Sequence, residues 1–169
     1  MPRTLIMSPA RVRRTVTRLA YEVIERNRGG ANLMVFGIPK RGLAMAVMIA
    51  EALGKIDGHS VIVHKIDITP FRDDISANGG APDADRFDVA DRDVLLVADV
   101  LFTGRTARAA LDAILHHGRP RSIQLAVLID RGHREYPIQP DYVGRVIPTK
   151  YGERIEVETD GEPAVYLAE

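Results

Sequence analysis

The sequence predicts an α/β fold in which a mostly parallel sheet is flanked by helices. Apolar runs of strand length alternate along the chain with stretches whose apolar residues recur at helical spacing, the order expected of βα units joined by right-handed crossovers. The run over 60–68 is apolar on both parities, which suits strands covered by helices on both faces. The 169 residues suffice for one full-sized core and are short for two, so the expected organisation is a single domain, 1–169.

Each element has its own local reason. Ser8-Pro9 reads as an N-cap followed by proline in the first helical position, where a missing N–H costs nothing. Val12, Val16, Leu19, Ala20, Val23 and Ile24 then mark one buried stripe, and Arg28-Gly29-Gly30 ends the helix. A strand over 32–38, a helix over 42–53 and a strand over 60–68 follow. The stretch 69–91 has two prolines, a Gly-Gly pair, many aspartates and no sustained period, so it is expected to be a flexible acidic loop. A strand over 94–98, a helix over 105–117 and a strand over 122–129 come next, and short strand-like pieces at 142–147, 154–157 and 164–167 finish the chain.

Composition removes several function classes. Cysteine is absent, which excludes disulfides, thiolate metal sites and a cysteine nucleophile. No run approaches the roughly 20 apolar residues of a membrane span, and the start lacks a signal-peptide core, so a cytoplasmic protein without membrane contact is expected. The net charge of zero conceals asymmetry: residues 1–30 carry seven arginines against Glu22 and Glu25, whereas 67–93 carry eight aspartates against three arginines. A polyanion-binding face therefore remains open.

The most informative stretch is "VLLVADVLFTGRTARAAL", where an apolar strand runs into a lone acid, Asp99, beside Ala98, and then into a Thr-Gly-Arg-Thr turn and a helix. Ligands of such sheets sit beyond the carboxyl ends of the strands. Thr103, Gly104, Arg105 and Thr106 combine close backbone approach, hydroxyl donors and a helix N-terminus, and so suit a phosphate; an ordinary βα loop capped by threonine is the plain alternative. Gly37-Ile38-Pro39-Lys40-Arg41-Gly42 is a second anion-suited turn at the same edge, with a solvated basic turn as its alternative. Neither the nucleoside triphosphate loop motif nor the dinucleotide fingerprint is present.

"VLLVADVLFTGRT" resembles the phosphoribosyl pyrophosphate motif of type I phosphoribosyltransferases. "RRTVTRLAYEVIERN", "IDITPFRDD" and "SIQLAVLIDRGHREYPIQPDYVGRVIPT" are similar, in one collinear order, to the PyrR family of pyrimidine operon regulators with uracil phosphoribosyltransferase activity. The resemblance implies the type I phosphoribosyltransferase fold, with a small hood and a flexible lid loop at 69–91. It implies conversion of uracil and phosphoribosyl pyrophosphate to UMP and pyrophosphate with substrate-associated Mg²⁺, binding of operon leader RNA in a nucleotide-dependent way, and a homodimer or homotetramer. By the same resemblance Thr103, Gly104, Arg105 and Thr106 would cradle the 5-phosphate, with Val100 beside them and Asp99 facing ribose and metal. Lys40 and Arg41 would hold pyrophosphate with help from Arg72, so that Asp99, Arg41 and Arg72 are the catalytic set; Arg131 and His133 would line the site near the base. For His133 alone, a hydrogen bond to a loop backbone is the plainer reading, and His116 and His117 read as cations closing a helix.

On the first helix Arg11, Arg14 and Arg18 form a basic ridge, with Thr17 and Tyr21 alongside. The resemblance puts the positions of Thr17, Arg134 and Arg145 on the RNA-contacting surface. Tyr21 stands where that family usually has histidine, Gln139 where it usually has arginine, and Ala98 where the motif usually has an acid. Three readings follow: an enzyme that also regulates transcripts, a nucleotide-sensing RNA regulator with impaired catalysis, and a uracil phosphoribosyltransferase without RNA function.

Overall fold

The structure is a computed structural model that describes residues 2–74 and 86–169. In chain order it contains β1 (Arg3–Met7), α1 (Pro9–Asn27), β2 (Leu33–Gly37), α2 (Arg41–Asp57), β3 (Val63–Lys65), a 3₁₀ turn (Thr69–Phe71), β4 (Asp93–Leu101), α3 (Arg105–His117), β5 (Ser122–Asp130), β6 (Tyr142–Val146), β7 (Arg154–Glu158) and β8 (Ala164–Ala168). Five parallel strands form the main sheet in the order β3-β2-β4-β5-β6, and an antiparallel sheet, β1-β8-β7, stands beside it.

The alternation of side chains along β4 shows why both parities are apolar. Leu95 and Val97 pack with Leu19, Val23, Ala46 and Ile49 of α1 and α2 on one face, while Val94, Leu96 and Ala98 pack with Ala109, Ala110 and Ile114 of α3 on the other. Ser8 caps α1 as expected, its hydroxyl accepting from the Arg11 N–H at 3.4 Å. Gly42 lets α2 press against β4: a Cβ there would lie 2.8 Å from the Val97 carbonyl oxygen and 3.2 Å from the Ala98 Cα, both backbone atoms.

The structure corrects several expected boundaries. Arg3–Met7, not anticipated, is a strand because it pairs with Ala164–Ala168 from the far end of the chain. Of 60–68, only Val63–Lys65 forms strand, an outer one with β2 as its neighbour, and the Ile66 N–H still reaches the Gly37 carbonyl at 3.4 Å. β4 runs on past Ala98 to Leu101 because Val100 and Leu101 still pair with Ile129 and Asp130 of β5. The acidic stretch 69–91 begins with a 3₁₀ turn, and its middle, 75–85, lies outside the described residues.

Asp93 ties the starts of three strands together. Its nearly buried carboxylate accepts from Arg121, from the Ser122 hydroxyl at 2.7 Å and from the Asn32 amide at 3.3 Å. The Arg121 guanidinium, with help from Ser122 and Asn32, holds its pKa down at about 2. A depressed carboxylate pKa stabilises the fold above the ordinary value near 4, and that contribution disappears as pH falls through about 2. Because Arg121 is 62% exposed, we expect Asp93→Asn to destabilise the protein by only about 1–2 kcal/mol at pH 7, a gap that closes as pH drops from 4 towards 2 in urea titrations. A gap independent of pH would show that Asp93 acts through packing alone.

Candidate functional site

The chain leaves β2 towards β3 on one side, and β4 then inserts on the other side of β2. This reversal makes the gap beyond the ends of β2 and β4 the switch point at which α/β sheets open a crevice. A cavity of about 460 Å³ lies there, lined by Ile38–Arg41 from the β2–α2 turn and by Ala98–Gly104, Thr106 and Ala107 from β4 and α3. Lys40, Arg41, Asp99, Val100, Thr103, Gly104 and Thr106 are thus brought together.

The second turn is built to present N–H groups. The carbonyls of Leu101, Phe102 and Thr103 all turn towards the segment after β5: they accept from the Arg131 N–H (3.0 Å), the Arg134 guanidinium (2.8 Å), and the Glu135 and Tyr136 N–H groups (2.8 and 3.0 Å). In a planar trans peptide the N–H points opposite to the carbonyl, so the N–H groups of Phe102, Thr103 and Gly104 face away from that segment. Among the described residues none of them has a protein acceptor, and neither do those of Thr106 and Ala107 in the first turn of α3. Gly104, not a threonine, holds the cap position, at φ +90°; the Thr103 hydroxyl accepts from the Arg105 N–H at 3.3 Å. α2 likewise starts without a side-chain cap, with Lys40 at its cap position and a cis Pro39–Lys40 peptide just before it. Two uncapped helix N-termini, a lysine and an arginine therefore face one cavity, which is an environment for phosphates.

Asp99 is the only carboxylate on the wall of this cavity among the described residues. Burial pushes its pKa up, opposed by the backbone N–H groups of Val100 and Asp99 and by the charge of Arg41. Ala98 also lines the wall, with a methyl group and 8% exposure. A larger cavity of about 740 Å³ shares Lys40 and Arg41 but is otherwise walled by Leu43, Ala44 and Val47 and by Glu158 and Asp160, whose carboxylates repel an anion. Chemistry rather than size selects the first cavity.

Other expected residues stand elsewhere. The Arg105 guanidinium turns out of the cavity to Glu135 (2.8 Å), Asp73 (2.6 Å) and the Tyr136 hydroxyl (2.7 Å), so only the backbone of Arg105 belongs to the turn. Arg72 is held by Asp74, at 2.8 and 2.5 Å, outside the cavity. Arg131 is buried and does not line it; its guanidinium donates to Thr149, Lys150 and Tyr151 and stacks 3.9 Å from the centre of the Phe102 ring. His133 makes the backbone contact, Nε2 lying 2.6 Å from the Thr149 carbonyl oxygen, and its ring also meets Phe102 and Tyr151. Phe102, which sequence reasoning missed, is the residue through which this group reaches the cavity.

On α1, Arg11, Arg14, Thr17, Arg18 and Tyr21 share an exposed face, Tyr21 at 58%. Arg11 and Arg14 have no side-chain partner among the described residues, but Arg18 pairs with Glu22 and donates to the Val143 and Gly144 carbonyls (3.1 and 2.6 Å). Thr17 bonds back to the Arg13 carbonyl, and exposed Arg145 reaches the Ile6 carbonyl at 3.3 Å. Arg134 donates to the Ile138 and Phe102 carbonyls and pairs with Asp130. Among the described residues no cluster of three or more His, Cys, Asp or Glu could hold a metal, and no helix is long and apolar enough to cross a membrane.

Residues 8–159 match the family model described as the phosphoribosyl transferase domain. The chain is 48% identical to the bifunctional protein PyrR of Leuconostoc mesenteroides over 99% of both chains. It is 49% identical to that of Deinococcus radiodurans (98% of this chain, 94% of the relative) and 47% identical to that of Bacillus subtilis (94% and 91%). Among solved structures, the hypoxanthine phosphoribosyltransferase of Trypanosoma cruzi superposes with a TM-score of 0.74 over 98% of this chain and 96% of that one, at 19% identity, which speaks to the fold. The chain belongs to the phosphoribosyl transferase family and, within it, to the PyrR proteins.

Proposed function

We propose that the chain is a PyrR-type regulator of pyrimidine biosynthesis that joins uracil to phosphoribosyl pyrophosphate, giving UMP and pyrophosphate, and that binds pyrimidine operon leader RNA when a uridine nucleotide is bound. The observation that carries the enzymatic part is the pair of anion-suited turns facing each other across one cavity with Asp99 between them. The 5-phosphate belongs on the N–H groups of 102–104, 106 and 107, which have no acceptor among the described residues, and on the Thr103 and Thr106 hydroxyls, with the pyrophosphate beside Lys40 and Arg41. Uracil nitrogen bonds to the ribose anomeric carbon as the bond from that carbon to pyrophosphate breaks, and the proton lost from that nitrogen passes to the departing pyrophosphate or to water, so no side chain acts as nucleophile. Negative charge grows on the leaving group next to Lys40 and Arg41, and positive charge on the ribose next to Asp99. The single carboxylate suits Mg²⁺ that arrives on the substrate's phosphates and neutralises them. The acidic stretch 69–91 serves as the lid, with Arg72 released from Asp74 to reach pyrophosphate. A cytoplasmic homodimer or homotetramer forming one domain over 1–169 completes the reading.

For RNA, support comes from the exposed Arg11 and Arg14 of α1 together with Arg145. Ala98 favours a second reading, a nucleotide sensor with weak catalysis; Tyr21 and Gln139 favour a third, an enzyme without RNA function. Purified protein should be assayed for UMP formation and titrated with its own operon leader RNA, with and without UMP. Turnover with UMP-dependent binding supports the first reading, binding without turnover the second, and turnover without binding the third. Because the Arg14 side chain has no partner among the described residues, Arg14→Gln should lower the salt slope of RNA affinity by about one without changing turnover. An unchanged slope would leave the ridge a solvated face.

A further inference from the structure

The Arg105 guanidinium, having left the cavity, bridges two other segments of the chain. Its Nε donates to Glu135 at 2.8 Å, and one terminal nitrogen donates both to Asp73 at 2.6 Å and to the Tyr136 hydroxyl at 2.7 Å. That hydroxyl donates in turn to the same Asp73 oxygen at 2.5 Å. Glu135 and Tyr136 are themselves fastened to the start of α3, since their N–H groups donate to the Thr103 carbonyl. Further along α3, Arg108 donates to the Phe71 carbonyl at 3.1 Å, and the Phe71 ring lies 5.7 Å from that of His116. Phe71 and Asp73, at the root of the acidic stretch, are thus both strapped to α3. Arg72 between them is extended, with φ −74° and ψ 137°, and in extended backbone successive side chains point opposite ways. The strap therefore turns Arg72 away from α3. It also keeps Arg72 near the rim of the cavity, because Gly104 and Thr106, the chain neighbours of Arg105, line its wall.

We propose that Arg105, acting through Asp73, is a positioning residue for Arg72 at the pyrophosphate end of the site. The Arg105, Asp73 and Glu135 side chains are 45%, 34% and 40% exposed, and ion pairs so exposed contribute little to stability. What this bridge supplies is placement. It ties Arg72 to the helix whose first turn would carry the 5-phosphate, so that one rigid element sets the contacts to both ends of a single substrate. The inference rests on the nucleotide reading above. Its expected sign is opposite to that of simple electrostatics: deleting an acid beside an anion site should help an anion to bind, unless the task of that acid is to hold Arg72.

The test compares wild type, Asp73→Ala, Arg105→Gln, Arg72→Gln and the double variant Asp73→Ala/Arg72→Gln. Calorimetry is run with phosphoribosyl pyrophosphate and with UMP, which lacks the pyrophosphate, beside kinetics of UMP formation. Each single variant should bind phosphoribosyl pyrophosphate about tenfold more weakly, the loss of one charge-assisted contact, and kcat/KM for that substrate should fall at least as far. UMP affinity and melting temperature should stay close to wild type, a split that a merely structural role would not produce. The double variant should be no worse than Arg72→Gln alone, because the strap has nothing to place once Arg72 is gone. Tighter binding of phosphoribosyl pyrophosphate by Asp73→Ala, or losses that multiply in the double variant, overturns the proposal. Equal weakening of both ligands in Arg105→Gln overturns it as well, since that side chain would then serve the 5-phosphate itself. So does wild-type behaviour of Arg72→Gln, which leaves no residue to be positioned. If wild type binds neither ligand, the nucleotide reading fails and this proposal falls with it; where wild type binds both, the variants judge the strap alone.

Discussion

Asp99→Asn is expected to lower kcat/KM for UMP formation by about 100-fold or more, on the scale of a preorganised electrostatic contact removed from developing charge, and at the same time to stabilise the folded protein at pH 7. The two effects share one cause. Burial raises the Asp99 pKa, so ionising this group costs the folded state more than the unfolded one. Above its raised pKa it is charged in both states and subtracts stability; once pH has fallen below the ordinary carboxylate value it is protonated in both and subtracts nothing. Asparagine removes the cost, so its melting temperature should exceed that of wild type at pH 7, and the excess should shrink as the solution is acidified through the carboxylate range. Loss of turnover with no gain in stability would mean that Arg41 and the backbone N–H groups already offset the burial. A gain in stability with unchanged turnover would remove Asp99 from the chemistry.

The second large effect is expected at Ala98. Its methyl group occupies the cavity wall next to Asp99, the one carboxylate there among the described residues, and ribose presents more hydroxyls than that single group serves well. A hydrogen bond from a hydroxyl to a charged acceptor is worth about 1.5–3 kcal/mol. Expressed in the transition state, that amounts to roughly ten- to hundredfold in rate. Ala98→Asp should therefore raise turnover per site by about that factor while changing UMP affinity less. It should also lower the melting temperature, because the position is 8% exposed and packs with the apolar cluster under α3. A flat rate in a folded variant would show that another group already serves the ribose, and the impaired-catalyst reading would then be dropped.

The helices were legible because each carries its own signal: the cap at Ser8, the stripe from Val12 to Val23, and the period of α3. β1 was not, since its residues are largely exposed and its only reason to be extended is a partner at the other end of the chain, with Arg3 opposite Ala168. The same division runs through the site. Thr103, Gly104, Lys40 and Arg41 were readable from local chemistry, whereas the side chain of Arg105 was assigned to the cavity because its competitors are distant in sequence. Glu135, Tyr136 and Asp73 come from other loops and draw the guanidinium away. Phe102 gave no sequence signal beyond being aromatic, and its role depends on Arg131 arriving from the end of β5.

The contacts of Arg18 bear on solubility. β6 is an outer strand of the main sheet, and an outer strand offers unpaired backbone groups on which another chain can add a strand. Arg18 donates to two successive carbonyls of that strand, at Val143 and Gly144, and so sets a charged group at one point of its open edge. A charge at that point opposes the addition of another strand there. An Arg18 variant made to probe the basic ridge would open that edge as well, so weaker RNA binding in such a protein should be read beside light scattering: a rise in particle size with protein concentration would assign the loss to self-association of the sheet rather than to a missing phosphate contact.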